Sequence, residues 1–488
     1  MFFRGSRKVI QNIFCLVIST AAIAAIAQDK ATSDVVRADF SGNYPMLQTS
    51  TSDSRVQINV LVPRLKEYDF IATPVAGGNA IEAKISVPAQ DPQKLLHEKA
   101  LKIQFSGLKA DTEYNLEMLE NFRGSKKLVD RRRFKTLSPT SSQSSVPLRM
   151  TSVSCMCDEN KYRPYRENVW SNALNQKPDL MVMTGDQTYV DSFDYVERGK
   201  ASALDIWMRY FRSFDQNPLT RAFNLVPVYS TWDDHDTGIN DGNGTTPSLP
   251  EAHKAFDALY GTEAIPGFVE KALGGHFMEI KIKGQNLFIL DARSHRKPFG
   301  STDRYSHFGK EQEDWFFSKV ATALGPIHIF KGDMWGTPSV MSDAANGKAP
   351  YRLTESFFGD HPQNYRAFMQ QLFGFNKAVV FHSGDIHFSE VLKYGPDAKV
   401  TSFLAPFPAF EVTSSPAHSI IFTPAPGEAE FWPNPQRITA ARAYNTVTIE
   451  SSVLSAQSFR INVSSYGVAK DPLFKTEQTL SCETPIAK

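Results

Sequence analysis

Leu180-Met181-Val182-Met183-Thr184-Gly185-Asp186-Gln187-Thr188-Tyr189 is a short apolar run that ends in a glycine, a carboxylate and a phenol. A run this short, closed by a turn signal, reads as a strand buried on both faces. Similar runs recur at 148–153, 225–231, 287–290, 327–330 and 378–382. Between several of them, 165–176 and 310–323 have the texture of helices. Buried strands alternating with helices specify an α/β unit. Upstream the texture differs. Residues 28–53 are polar and read as irregular, and then Val56-Gln57-Ile58-Asn59-Val60 alternates with the period of a half-buried strand. Further strand-like runs at 83–87, 100–105, 113–119 and 131–137, with polar turns between them, suggest a β-sandwich. The Ser/Thr/Pro-rich stretch 138–146 reads as a linker. The tail at 445–450 and 459–465 returns to β alternation and is expected to close a sheet edge.

At 488 residues the chain is long enough for two folded units, and 41% hydrophobic with 22% charged residues is a globular composition. The net charge of +1 gives no electrostatic reason to expect nucleic acid or an anionic membrane as partner. Arg4, Arg7 and Lys8 precede a short apolar stretch that ends in Ala25-Ile26-Ala27 before Gln28. This reads as an export signal, with a single membrane anchor as the alternative. The apolar stretch is shorter than the roughly 20 residues of a membrane span. Cleavage leaves Cys155, Cys157 and Cys482, and an odd count keeps at least one thiol out of any disulfide. No later stretch is long and apolar enough to span a bilayer, so an exported chain, periplasmic or secreted, is expected.

Metal-capable side chains stand where four of the buried runs end, and ligand sites in open α/β sheets lie beyond strand carboxyl ends. Ser154-Cys155-Met156-Cys157 follows the first run. Taken singly, Cys155 reads as a packed small apolar residue, and two cysteines one residue apart fall short of a zinc pattern. In the second, Gly185 lets the backbone turn sharply, Asp186 at the tip can bridge two cations, and Tyr189 can turn its phenol to the same point. A turn aspartate with a packing tyrosine fits that segment equally well. In the third, Trp232-Asp233-Asp234-His235-Asp236 is followed by Gly238-Ile239-Asn240-Asp241. Four consecutive ionisable residues there repel one another unless a cation is present, with a solvated loop as the alternative. In the fourth, Gly384-Asp385-Ile386-His387 sets two ligand types two residues apart.

These stretches, with Leu290-Asp291-Ala292-Arg293 and Glu411-Val412-Thr413-Ser414-Ser415, resemble the PhoD-like (alkaline phosphatase D) branch of the metallophosphoesterases over most of the chain. Ordinary metallophosphoesterases open with D-x-H and close with GHxH. Cys155 at the first place and Asp385 at the penultimate histidine are the mark of this branch. Gln187 and Thr237 stand where relatives often carry aromatics. The resemblance implies a four-layer αββα sandwich preceded by a fibronectin-like β-sandwich. The divisions are a signal peptide at 1–27, the β-sandwich at 28–140, a linker at 141–147 and the catalytic unit at 148–480. It further implies a dinuclear or larger metal centre. Cys155, Asp186, Tyr189 and His387 suit a transition metal, and the family points to ferric iron. Asp234 and Asp385, with Asp186 bridging and Asn240 as an added amide oxygen, suit calcium or another hard cation. His235 is the candidate to protonate the leaving alkoxide or stabilise its charge. Arg293 either grips a phosphate oxygen bidentately or forms a structural pair with Asp291. The expected reaction is hydrolysis of phosphate monoesters, diesters or both by metal-activated hydroxide, with a small-molecule phosphate ester as partner. The contrasting class is an inactive phosphate- or carbohydrate-binding surface protein on the same fold. Against it, no metal position carries an apolar residue. His97, His253, His276, His307, His328 and His361 read as core or surface residues, and Ser414-Ser415 as a structural turn near the site.

Overall fold

The computed structural model describes residues 35–482 except 89–91, 140–145, 193–200, 273, 337–339, 342–350, 353–355, 396–407 and 423–435. The leader at 1–27 and most of the linker at 141–147 lie outside the described residues. Eight strands come first: β1 (Met46–Thr51), β2 (Arg55–Pro63), β3 (Glu67–Pro74), β4 (Ile81–Glu82), β5 (Lys84–Ser86), β6 (Glu98–Ser106), β7 (Glu113–Phe122) and β8 (Ser125–Lys135). They make two four-stranded sheets, ordered β1-β2-β6-β5 and β4-β3-β7-β8, around Ile58, Phe70, Ile103, Leu116 and Phe134.

β1 corrects the expectation of an irregular stretch at 28–53. Its sequence, Met-Leu-Gln-Thr-Ser-Thr, has no apolar alternation, yet all six residues are buried. The reason is that the sheet is covered on both faces at β1 and its neighbours: Met46 and Val60 pack into the β-sandwich, while Leu47, Leu61 and Ala100 pack among the helices that follow. Several of its polar side chains find internal partners. Gln48 Nε2, for example, donates to Thr51 Oγ1 and to the Lys135 carbonyl, at 3.1 Å each.

The strands then run β9 (Leu148–Val153), β10 (Leu180–Thr184), β11 (Val228–Thr231), β12 (Val269–Lys271), β13 (Met278–Ile282), β14 (Gln285–Ile289), β15 (Ile327–Phe330), β16 (Val340–Met341) and β17 (Tyr351–Arg352). They end with β18 (Val379–Ser383), β19 (Ser389–Tyr394), β20 (Ala409–Thr413), β21 (Gln436–Ala441), β22 (Thr446–Ser455), β23 (Ser458–Tyr466) and β24 (Pro472–Ser481). The helices are α1 (Arg163–Asn175), α2 (Ala203–Gln216), α3 (Asp234–Thr237), α4 (Leu249–Tyr260), α5 (Lys310–Thr322), α6 (Phe357–Asp360) and α7 (Pro362–Gly374).

This part is a mixed α/β fold with two large sheets, ordered β11-β10-β9-β22-β23-β24 and β12-β13-β14-β15-β18-β20-β19-β21. Met150, Val182 and Ile449 of the first share a core with Leu287, Phe330, Val380 and Val412 of the second. Trp170, Trp207 and Phe256, from α1, α2 and α4, cover the outer face of the first sheet around Met181 and Met183. Phe316 and Phe368, from α5 and α7, do the same for the second around Phe288, Ile329 and Phe381. The expected edge position of the tail is corrected: its two stretches fall in β22 and β23, which both lie inside the sheet. β24 takes the edge, but β22 pairs with β9 in the middle of its sheet, since Val447 and Ile449 belong to the core between the sheets. Among the described residues, no helix is long and apolar enough to cross a membrane.

Candidate metal centre

β9, β10 and β11 run parallel in one sheet, and β14, β15, β18 and β20 run parallel in the other. Their carboxyl ends converge. A methyl group added at Gly384 would lie 2.7 Å from both the Ser154 side chain and the Thr184 carbonyl, so only glycine allows the two sheets this close. Beyond these ends four non-glycine residues take left-handed backbone, with φ of 57° at Cys155, 56° at Asp186, 65° at Asp385 and 58° at His387. Each costs on the order of 1–2 kcal/mol, and such strain concentrates at functional sites.

Neighbouring groups hold these conformations. The Asp236 carboxylate accepts the backbone N–H of Asp186 and of Thr188 at 2.7 Å, and that of Asp233 at 3.0 Å. Met156 N–H donates to the Asp186 carbonyl at 2.8 Å, and His387 N–H to Ser415 Oγ at 3.0 Å. Ser415 Oγ also lies 3.0 Å from Cys155 Sγ, which puts the Ser414-Ser415 turn beside the site.

Three overlapping clusters result: Cys155, Asp186 and His387; Asp186, Asp234 and His235; and Asp233, Asp234 and Asp385. Within each, one ligand atom per residue lies within 4.8 Å of the others. Asp186 belongs to the first two and Asp234 to the last two. Cys155 Sγ is 3.4 Å from Asp186 Oδ2, and the Tyr189 hydroxyl is 3.5 Å from the same oxygen and 3.4 Å from His387 Nε2.

The electrostatics of this cluster suit a cation. Burial, reinforced by Asp234, pushes the Asp186 carboxyl well above the usual carboxylate range. Burial likewise raises the Cys155 thiol, with Asp186 adding to it, and the Tyr189 phenol, with Cys155 adding to it. It carries Asp233 up to about 6 and Asp236 to about 7. Burial also opposes the Asp234 carboxylate, but His235, Arg293 and the N–H groups of Asp241 and His235 hold it at about 2. Burial, then repulsion from His235, lowers His387 to about 4, which leaves a neutral imidazole with a free lone pair. Protons on Cys155, Asp186 and Tyr189 thus relieve a crowd of buried anions, and a cation can replace those protons. Asp186 Oδ1 and Asp233 Oδ2 are buried without a hydrogen-bond partner among the described residues, as expected of oxygens left over for coordination. The residues present therefore fit a metal centre.

The structure brings Cys155, Asp186, Tyr189, Asp234, Asp385 and His387 together. Asn240 is exposed at the border of the cluster, its amide nitrogen on Asp241 Oδ1 at 2.7 Å and its backbone N–H on Asp191 Oδ2 at 2.9 Å. Arg293 needs a correction. Its guanidinium is 0% exposed, with Nε on Asp233 and one Nη on the Gly242 carbonyl at 3.0 Å, so it holds Asp233 in place instead of facing incoming substrate. Asp291 accepts the Arg293 backbone N–H at 3.0 Å. Cys157 is buried outside all three clusters, with Sγ 3.7 Å from Glu159 Oε1.

His235 keeps 17% of its side chain exposed, and its ring centroid lies 4.2 Å from that of Tyr189. Burial works against its charge, but Asp234, Asp186 and Asp191 together raise its pKa well above the ordinary value. Asp191 Oδ1 lies 2.7 Å from His235 Nδ1 and fixes the ring. Sequence reasoning passed over Asp191, Asp233 and Asp236. Asp233 and Asp236 stood in view within the acidic run. For Asp191 the only signal was a carboxylate two residues after Tyr189.

A family model described as PhoD-like phosphatase matches residues 150–453, more than half of the chain. Comparison with curated proteins found no match.

Proposed function

This chain belongs to the PhoD-like phosphatase family, and we propose that it is an exported, metal-dependent phosphatase acting on phosphate monoesters, diesters or both. The observation that carries the metal dependence is Asp186: one carboxylate shared by two clusters of ligand atoms, with a buried oxygen left without a hydrogen-bond partner. In our reading Cys155, Tyr189, His387 and Asp186 hold ferric iron. Asp234 and Asp385, with Asp186 shared and Asp233 close by, would hold calcium or another hard cation. The mixed S, N and O donors of the first set suit a transition metal and the all-oxygen second set a hard cation, while iron itself is what the family resemblance implies. When bound, such cations supply Lewis acidity toward phosphate oxygens and lower the pKa of water.

The chain's own residues do the rest. Asp191 fixes the His235 ring through Nδ1, and the partly exposed imidazolium then donates a proton to the departing alkoxide oxygen. Arg293 and Asp236 keep the acidic loop in register beneath it. Upstream, Tyr114 accepts the Lys109 N–H at 2.7 Å. That bond resembles a tyrosine corner and supports reading the N-terminal β unit as fibronectin-like. The αββα description of the catalytic unit rests on the same reading of the family.

The test is hydrolysis of p-nitrophenyl phosphate and bis(p-nitrophenyl) phosphate before and after chelation, with metal analysis alongside. Activity should vanish on stripping and return with metal. Undiminished turnover by metal-free protein would sink the proposal, while metal uptake without turnover on any ester would favour a binding protein. Export is checked by the intact mass of protein recovered outside the cytoplasm, which should begin at Gln28.

A further inference from the structure

Arg209 lies on the buried face of α2 at 2% exposure. Its Nε donates to the Tyr189 carbonyl at 2.7 Å, and its two terminal nitrogens fork onto the two oxygens of Asp158. Asp158 stands three residues beyond Cys155. One planar group therefore spans the loop that follows β9 and the loop that follows β10, the loops that carry Cys155, Asp186 and Tyr189. We propose that Arg209 is a positioning residue for the metal centre. It staples the 155–158 loop to the 186–189 loop so that the Cys155 thiol and the Tyr189 phenol meet at one site. The inference rests on the metal reading above.

Three observations point this way. The ladder between β9 and β10 stops at the strand ends, and among the described residues the backbone bonds between the two loops beyond it are Cys155 N–H to Gly185 and Met156 N–H to Asp186. Past Met156, Cys157 packs in one cluster with Tyr189, and Arg209 adds a hydrogen-bonded link between the two loops, both of which carry left-handed residues that will not hold themselves. Second, a buried ion pair is weak evidence for stability, because desolvation offsets much of the attraction; its best-attested use is to select one arrangement. Third, Asp158 already has a second cation in Arg212, whose Nε lies 3.2 Å away, so neutralising Asp158 does not by itself require Arg209. What Arg209 adds is geometry: a rigid fork with a third donor pointing the other way, which lysine cannot reproduce.

The test uses the full chain stripped of metal and titrated with cobalt(II), following thiolate-to-cobalt absorption and, separately, thermal unfolding of the metal-free protein. Arg209→Lys keeps the charge but loses the fork. It should bind cobalt about 10–100-fold more weakly, the usual loss when a group supporting metal ligands is removed. Its thiolate band should shift while metal-free unfolding stays near the parental value. Asp158→Asn should weaken cobalt binding in the same direction by a smaller factor. Unchanged affinity and band in both variants overturns the proposal. So does a loss of affinity that only tracks a lower metal-free melting temperature, or failure of both variants to fold, since Arg209 would then be a general folding residue. A parental chain that takes up no cobalt would refute the metal reading itself, and the staple with it.

Discussion

Gly185→Ala should damage this protein out of proportion to one methyl group. Gly185 has φ of +96°, and a Cβ there would overlap the Asp233 side chain and lie 3.0 Å from the Asp233 backbone nitrogen and 3.2 Å from its Cα. Gly267, in the same α/β part, offers a control with φ of +81° and nothing within 4 Å of an added Cβ. Both alanines carry the cost of left-handed backbone, roughly 1–2 kcal/mol. Only Gly185→Ala adds overpacking, about 1–3 kcal/mol more, and the atoms in the way, the Asp233 Cβ, N and Cα, cannot rotate aside. The expected totals are about 1–2 kcal/mol at Gly267 and about 2–5 kcal/mol at Gly185. Denaturant midpoints at constant m-value read the difference. The damage should also reach the site. Asp233 N–H shares the Asp236 carboxylate with Asp186 N–H, so displacing Asp233 drags on the bridging residue. Gly185→Ala should therefore lose bound metal and Gly267→Ala should keep it. Equal destabilisation by the two alanines, or full metal content in Gly185→Ala, would refute the close approach described here.

Asp186→Asn should abolish turnover and lower bound metal. The metal-free fold should survive, because burial already favours an uncharged side chain at that position; more than a few per cent of parental activity at full metal content would remove Asp186 from the centre. If ferric iron binds Cys155 and Tyr189, concentrated protein should be coloured by ligand-to-metal charge transfer, which redox-inert zinc cannot give. Tyr189→Phe and Cys155→Ser should then shift or bleach the band and Cys157→Ser should leave it alone, whereas colourless, active, zinc-only protein would exclude iron. His235→Ala should retain metal and lose roughly 10²–10⁴-fold in turnover on alkyl phosphates, the range for general acid catalysis. It should lose far less on p-nitrophenyl phosphate, whose leaving group needs no proton, and equal losses on both would exclude the acid role.

Much of the site was legible because its residues sit at the ends of short apolar runs, where a carboxylate has no packing reason to be. Glycines at 185 and 384 marked the turns, and the crowd at 233–236 marked the charge. What stayed hidden depends on contacts distant in sequence. β1 looks like a loop because its polar residues find partners in β8 and in its own turn, and a sequence window cannot see that. β22 reads as an edge strand by its alternation, yet it lies mid-sheet because β9 needs a neighbour on its free side. Arg293 carried two readings, and only the structure shows its charge meeting Asp233, 60 positions away. Arg209 gave no sign at all; on sequence it is one basic residue in an amphipathic helix.

The sheet carrying β1 and β2 has a consequence for how such a protein can be inherited or cut. Gln57 and Asn59 donate to the Gly261 carbonyl at 3.2 and 3.1 Å, and Lys102 pairs with Asp257 and Glu263 at 2.8 and 3.0 Å. Leu47, Leu61 and Ala100 pack in one cluster with Trp207 and Phe256 of α2 and α4. Upstream adhesive domains are commonly pictured as interchangeable modules threaded before an enzyme. Here the upstream piece serves as the outer wall of the enzyme's own helical layer, behind the helix that carries Arg209. A fragment beginning near residue 150, where the family match begins, would bare that apolar wall to water and should aggregate, and a foreign module grafted in its place would have to reproduce the wall residue by residue. The two parts are therefore expected to travel through evolution as one heritable piece.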